Sequence, residues 1–321
     1  MVKEIIFIIL GFVLLIKGAD FLVDGASNIA KRFHIPEIVI GLTIVSIGTS
    51  MPELFVSTTS ALQGSADMSI GNIIGSNICN LLLILGLSAV ISPVKFQKAT
   101  CNIEIPMCFG ITVVFMLLAN VGQALDLMDA IILLVLFAGF IAYTFYVAKK
   151  GLAEAAESAE EAEEAEEAPK KGAMLKNILW VILGIVGLKI GGDWTVDNAV
   201  VIAEKVGLSE KVIGLTILAI GTSLPELVTS VMAAIKGNDD IAIGNIIGSN
   251  IFNMLMIIGV TAFITPLAYN ISYNIQLYIL LFALILLEIF AFTKPKNQMN
   301  RFNGIIYVAL YAMYMVLLFV I

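Results

Sequence analysis

The stretch from Gly41 to Asn80 occurs twice in this chain. Shifted by 173 residues it falls on 214–253 without a gap, and 25 of the 40 positions are identical. "GLTIVSIGTSMPEL" meets "GLTILAIGTSLPEL", and "GNIIGSNICN" meets "GNIIGSNIFN". Preceding segments agree too, "GADFLVDGA" at 18–26 with "GGDWTVDNA" at 191–199. Such a chain folds as two copies of one unit, and a site between them is made of matched half-sites.

The unit is a membrane one. Of the 321 residues, 60% are hydrophobic and 13% charged, where a soluble domain carries roughly a quarter charged residues. Ten apolar segments approach the ~20 residues that span a bilayer. They lie near 4–30, 37–63, 69–91, 104–121, 127–148, 174–203, 210–236, 241–265, 273–293 and 303–321. The first lacks a basic region followed by a small-residue cleavage site, so it reads as a span and not a signal peptide. Residues 1–148 and 174–321 are the two five-span repeats expected, with 149–173 as linker.

Charge and cysteine usage exclude several classes. The net charge of −7 comes from eight glutamates between Ala153 and Ala168, without which the balance is +1. That run reads as a solvated, partly helical linker, and it lacks the spaced Asp/Asn/Gly of a calcium loop. Three cysteines in apolar surroundings form neither a disulfide framework nor a metal cluster, and a single histidine, His34, rules out a His-rich zinc site. The partner implied is the lipid bilayer. No nucleic acid, cofactor or obligatory protein partner is indicated.

Five spans per repeat is an odd number, so the second copy enters the membrane from the opposite side. With the acidic linker in the cytoplasm, thirteen of the eighteen Lys/Arg fall on that side, as the inward bias of basic residues requires. Both termini are then external. The fold expected is an all-α membrane protein of ten transmembrane helices in two inverted repeats, a transporter architecture with its site near the midplane.

In the second span Thr43, Ser46, Ser50, Glu53 and Ser57 recur at three- and four-residue steps and line one helix face, with Thr49 near it. The seventh repeats the stripe as Thr216, Ser223, Glu226 and Ser230, with Thr222 beside it and Ala219 in place of Ser46. Pro52 and Pro225 directly precede the two glutamates and break the helices there, opening carbonyls around 46–49 and 219–222. In the third and eighth spans Asn72, Ser76 and Asn80, then Asn245, Ser249 and Asn253, lie a turn apart. Gly71, Gly75, Gly244 and Gly248 make small-xxx-small patterns for close helix approach. The donors are carboxylate, amide, hydroxyl and carbonyl oxygen, a set for hard cations such as Ca²⁺. No Lys or Arg lies in either motif to neutralise the glutamates. One divalent cation, two monovalent ones or two protons would do so, and mutually exclusive occupation is the basis of exchange. Asp20, Asp24, Asp193 and Asp197 lie toward span ends and read as helix contacts.

At these residues the sequence resembles the cation/calcium exchanger superfamily, specifically the sodium/calcium exchanger branch in its compact prokaryotic form. "GTSMPE" with "GSNICN" and "GTSLPE" with "GSNIFN" carry the resemblance, which covers nearly the whole chain. It implies Na⁺-driven Ca²⁺ antiport by alternating access across the cell membrane. It implies a Ca²⁺ site of Glu53 and Glu226 with backbone oxygens of Thr49 and Thr222. Flanking Na⁺ sites would use Ser50, Ser76 and the Ser46 carbonyl, and Ser223, Ser249 and the Ala219 carbonyl. Asn80 and Asn253 would line the centre, and the first and sixth spans would slide over the rest. Some potassium-dependent relatives carry Asp where Asn253 stands, so potassium co-transport is not expected. The large regulatory loop of animal exchangers is missing, so cytosolic Ca²⁺ activation is not expected either.

Two other readings use the same residues. Proton coupling keeps the site and changes the driving ion, although the retained Thr49-Ser50 and Thr222-Ser223 favour Na⁺ by analogy. A passive channel would use the carboxylates as a selectivity ring. An enzyme is disfavoured because neither half shows a nucleophile–base pair.

Overall fold

The computed structural model describes residues 1–161, 171–207 and 219–320. Among them eight helices are long and apolar enough to cross a membrane, and a bent pair makes a ninth. In chain order the helices are α1 (Val2–Arg32), the bent pair α2 (Glu37–Thr49) and α3 (Met51–Leu62), α4 (Ala66–Ile91), α5 (Thr100–Asn120) and α6 (Leu127–Glu161). Then come α7 (Lys171–Lys205), α8 (Leu224–Ile235), α9 (Asp239–Ile264), α10 (Ile271–Phe292) and α11 (Arg301–Val320). The chain is a membrane protein of many apolar helices. α8 is the described part of the expected seventh span. Thr216 lies outside the described residues, as do the middle of the acidic linker and the side chain of Ala219.

Burial sets the layers. The most apolar windows of α4 and α9 are 78% and 83% buried, against 22–39% for the other six spanning helices. These two form the centre, and the other six spanning helices lie around them. α1 and α7 make a pair of their own, touching backbone to backbone along glycines. A Cβ on Gly18 would stand 2.8 Å from the main-chain nitrogen of Leu188, and one on Gly191 would stand 2.6 Å from the carbonyl of Gly11. Gly11, Gly18 and Gly25 recur every seven residues, so they share one face of α1. α9 crosses α2 as closely, since a Cβ on Gly248 would stand 2.7 Å from the Leu42 carbonyl and one on Gly244 3.0 Å from Gly41 Cα. The small-xxx-small reading therefore holds for Gly244 and Gly248. For Gly71 and Gly75 the matching partners, 214 and 215, lie outside the described residues.

Two short antiparallel ladders tie the halves together. Val94–Lys95, after α4, pairs with Gln298–Met299, before α11. Ala124–Leu125, after α5, pairs with Leu267–Ala268, after α9. Val94 and Leu267 are 173 residues apart, as are Leu125 and Gln298. The connection after the third span of one half thus meets the connection after the fourth span of the other, twice over.

At Ser50 the bilayer-spanning segment breaks, with the axes of α2 and α3 47° apart. Pro52 sits in the first turn of α3, where a missing N–H costs nothing because the first N–H groups of a helix have no partner anyway. Ser50 spans the joint at φ −86° and ψ 9°. Its N–H bonds the Ser46 carbonyl at 3.0 Å, and its own carbonyl accepts from Leu54 at 3.2 Å. α8 begins the same way after Ser223, with Pro225 in its first turn. The prolines therefore sit at the start of new helices, a sharper change than a kink.

Candidate cation-binding site

The two helix starts bring Glu53 and Glu226 into the interior. Each lies in the first turn of its helix, where the partial positive charge of the N-terminus favours an anion. Both are buried, at 1% and 0% exposure. Ser50-Met51-Pro52-Glu53 and Ser223-Leu224-Pro225-Glu226 have the spacing of a capping box, in which serine and glutamate close the helix end on each other. Neither serine makes that cap. Ser50 instead donates its hydroxyl to Oε1 of Glu226, in the other half, at 2.8 Å. Ser223 in turn stands beside the Glu53 carboxyl, with Ser76. The cap serine of the first half thus serves the carboxylate of the second, while Ser223 lies near Glu53 without a formed bond.

What remains is a set of buried oxygens lacking hydrogen-bond partners among the described residues. It comprises both carboxylate oxygens of Glu53, Oε2 of Glu226, the hydroxyls of Ser76, Ser223, Ser249 and Thr222, and Oδ1 of Asn80 and Asn253. Buried polar atoms are ordinarily paired, and an unpaired buried carboxylate costs several kcal/mol. The set contains acceptors and rotatable hydroxyls, which suits it to hard cations. Among the described residues no group of three His, Cys, Asp or Glu gathers, so any cation bound here takes most of its ligands from uncharged oxygens.

Other predicted residues stand behind this set. Asn72 donates to Ser57 at 3.0 Å, and Asn245 donates to Ser230 at 2.9 Å, the same bond in each half. Thr49 donates to Oδ1 of Asn245 at 3.0 Å or back to the Val45 and Ser46 carbonyls at 3.1 and 3.2 Å. Thr43 and Ser46 bond the Val39 and Leu42 carbonyls of their own helix, at 2.6 and 2.8 Å. Ser57, Ser230, Asn72 and Asn245 therefore tie α3 to α4 and α8 to α9. An apolar cavity of about 210 Å³, lined by Thr49, Pro52, Lys189 and Pro225 among others, lies between the two prolines and α7, while at Gly48 and Gly221 the chain packs directly on Ile185 and Val196 of α7.

Two features were missed from the sequence. Cys79–Leu85 and Asn253–Ile257 are π-helical turns inside α4 and α9, and each carries a site asparagine at or next to its first residue. Such turns are rare and concentrate at functional sites. Asn77 and Asn250, adjacent to the site serines, are buried and bonded across the halves. Their identity at the 173-residue offset was the available signal.

A family model described as "Sodium/calcium exchanger protein" matches residues 3–146 and again 176–320. This chain belongs to the sodium/calcium exchanger family. Among similar proteins, sodium/calcium exchanger MaX1 of Methanosarcina acetivorans is 34% identical over 344 residues, covering 97% of each chain. Inner membrane protein YrbG of Escherichia coli is 37% identical over 284 residues, 87% of each. The solved structure of the sodium-calcium exchanger NCX_Mj soaked with Na⁺ and Ca²⁺ superposes with a TM-score of 0.83 at 32% identity, covering 98% of each chain. The exchanger is thus of the compact prokaryotic type, a transporter family whose membership supports antiport of cations against Ca²⁺.

Proposed function

We propose that this exchanger moves Ca²⁺ against Na⁺ through one interior site built on Glu53 and Glu226. The observation that carries the reading is the buried carboxylate pair Glu53 and Glu226, with Ser50, Ser76 and Ser223 beside it and carboxylate and hydroxyl oxygens that have no hydrogen-bond partner among the described residues. Ca²⁺ bridges the two carboxylates, taking further oxygens at roughly 2.3–2.6 Å from the backbone of Thr49 and Thr222 and from Asn80 and Asn253. Na⁺ occupies flanking positions at Ser50, Ser76 and the Ser46 carbonyl, and at Ser223, Ser249 and the Ala219 carbonyl. Both ion sets use the same carboxylates, so each displaces the other. An unneutralised pair is too costly to carry across the bilayer, and this couples the two fluxes.

The architecture that goes with the reading is ten transmembrane helices in two inverted five-helix repeats, 1–148 and 174–321, joined by a cytoplasmic linker at 149–173. Both termini face outward from the cell membrane. The exchange of ladder and side-chain partners at a constant offset supports this pseudo-symmetry. α1 and α7, packed on each other along glycines, are the pair that moves across the rest.

The test is ⁴⁵Ca²⁺ uptake into proteoliposomes loaded with Na⁺, beside K⁺-loaded and pH-jumped vesicles. Uptake that requires the outward Na⁺ gradient is expected. Uptake driven by pH alone would keep the site and replace the coupling ion, and uptake indifferent to both gradients would make the protein a passive pore.

A further inference from the structure

Four buried asparagines join the halves, each no more than 1% exposed. Asn77 donates from Nδ2 to the main-chain carbonyl of Asn250 at 3.1 Å, and Asn250 donates to the main-chain carbonyl of Asn77 at 3.3 Å. Each then accepts at Oδ1 from a second asparagine of the opposite half. Asn253 donates to Asn77 at 2.9 Å, and Asn80 donates to Asn250 at 3.0 Å.

The order of donors and acceptors is set by the main chain. A peptide carbonyl accepts and never donates, so Nδ2 of Asn77 and of Asn250 must face it. Their Oδ1 atoms are then turned toward Asn253 and Asn80, which must answer with Nδ2. The atoms left over are Oδ1 of Asn80 and Oδ1 of Asn253, neither with a partner among the described residues. An amide has nearly the same shape either way round. Packing alone therefore does not choose its direction at 80 and 253, whereas these bonds do. Turned over, each amide would present N–H groups to a cation and repel it.

We propose that Asn77 and Asn250 are positioning residues that fix the amide polarity of Asn253 and Asn80, so that both present oxygen to the transported cation. The inference rests on the exchanger reading of this site. It assigns a role to two side chains that are themselves turned away from the ion.

The experiment is a double-mutant cycle read by equilibrium ⁴⁵Ca²⁺ binding to the purified full-length protein, with the exchange KM and maximal rate measured alongside. Asn77→Leu is expected to weaken Ca²⁺ binding about tenfold and to raise KM more than it lowers the maximal rate. Because Asn77 acts through Asn253, the same change in an Asn253→Ala background should have no further effect. In an Asn80→Ala background it should keep its full effect, since Asn80 is held by Asn250. If the leucine variant does not fold, Asn77→Ser, which retains a hydroxyl donor, carries the same cycle. Equal losses in both backgrounds, or unchanged binding in the single variant, overturn the proposal. Wild-type protein that binds no Ca²⁺ would remove the exchanger reading on which it stands.

Discussion

Ser50 donates its hydroxyl to Glu226 at 2.8 Å, while Ser223, at the matching place in the second half, has no hydrogen-bond partner among the described residues. The two halves share the residues around Glu53 and Glu226 and differ in how those residues are engaged. Other differences lie farther out. Lys236, at the end of α8, holds Asp20 at 2.8 Å and Asp24 at 2.7 Å on α1. In the first half its place is taken by Gln63, and Asp193, the counterpart of Asp20, pairs with Lys189 of its own helix at 2.5 Å. Identity is kept around the two glutamates, and lost where each half meets different neighbours. A pseudo-symmetric site can therefore sit in a scaffold whose two sides are not equally held.

The largest effect is expected where the halves are most alike. Glu53→Gln and Glu226→Gln each remove one of two charges that a divalent cation must meet. Loss of one charge-assisted ligand in a buried site removes several kcal/mol, so each variant should lose at least about a hundredfold in Ca²⁺ affinity and in ⁴⁵Ca²⁺ exchange. Equivalent half-sites predict similar losses. If one variant binds Ca²⁺ nearly as well as wild type, the matched description fails.

The serines sharpen the contrast. Ser50→Ala breaks a formed bond to a carboxylate, worth about 1.5–3 kcal/mol, and leaves Oε1 of Glu226 without that donor. Ser223→Ala removes a hydroxyl with no hydrogen-bond partner among the described residues. Thermal unfolding of the ion-free protein should therefore fall more for Ser50→Ala, while in saturating Na⁺ the two variants should approach each other. Identical shifts in both conditions would remove the contrast between the two serines.

Much of this was legible beforehand because a gapless repeat doubles every signal. The glutamates, the prolines and the hydroxyl stripe appeared at the same offset, and the structure brings Glu53, Glu226, Ser50, Ser223 and Ser76 together. The finer engagement was hidden for physical reasons. Hydrophobic periodicity over five to seven residues does not separate a π turn from an α turn, so the turns at 79–85 and 253–257 left no trace. Asn72 and Asn245 share a helix face with the site serines, yet neighbouring serines of the broken helices capture their side chains. Ser50 and Glu53 have the spacing of a local cap, and only the fold reveals that each is turned to the other half. Sequence spacing locates a residue on a face but not its hydrogen-bond partner.

A smaller effect should follow from making the outer contacts alike. Lys236→Gln copies Gln63 into the second half and leaves Asp24 without this partner and Asp20 with Lys17 at 3.6 Å. The contact is about a quarter exposed on the Lys236 and Asp20 side chains and more so on Asp24, so about 1 kcal/mol is at stake. That corresponds to roughly 2 °C in melting temperature. The deficit should shrink in high salt, which screens exposed charge pairs. A loss unchanged between low and high salt would assign Lys236 to packing through its aliphatic stem, and the charge contrast between the halves would lose its meaning.

The smallest effect belongs to Ser46→Ala, which makes the first half match Ala219 of the second. The hydroxyl of Ser46 is spent within its own helix, donating to the Leu42 carbonyl at 2.8 Å or the Thr43 carbonyl at 3.1 Å. The carbonyl of Ser46, which receives the Ser50 N–H at 3.0 Å, is untouched by the change. If residue 46 serves Na⁺ only through its backbone, as a half-site carrying alanine must at 219, the variant should keep its Na⁺ dependence of exchange within about twofold, since back-bonding hydroxyls contribute little to helices. A tenfold rise in the Na⁺ concentration for half-maximal exchange would mean that the hydroxyl leaves Leu42 to bind the ion. The first half would then hold Na⁺ with a ligand that the second lacks.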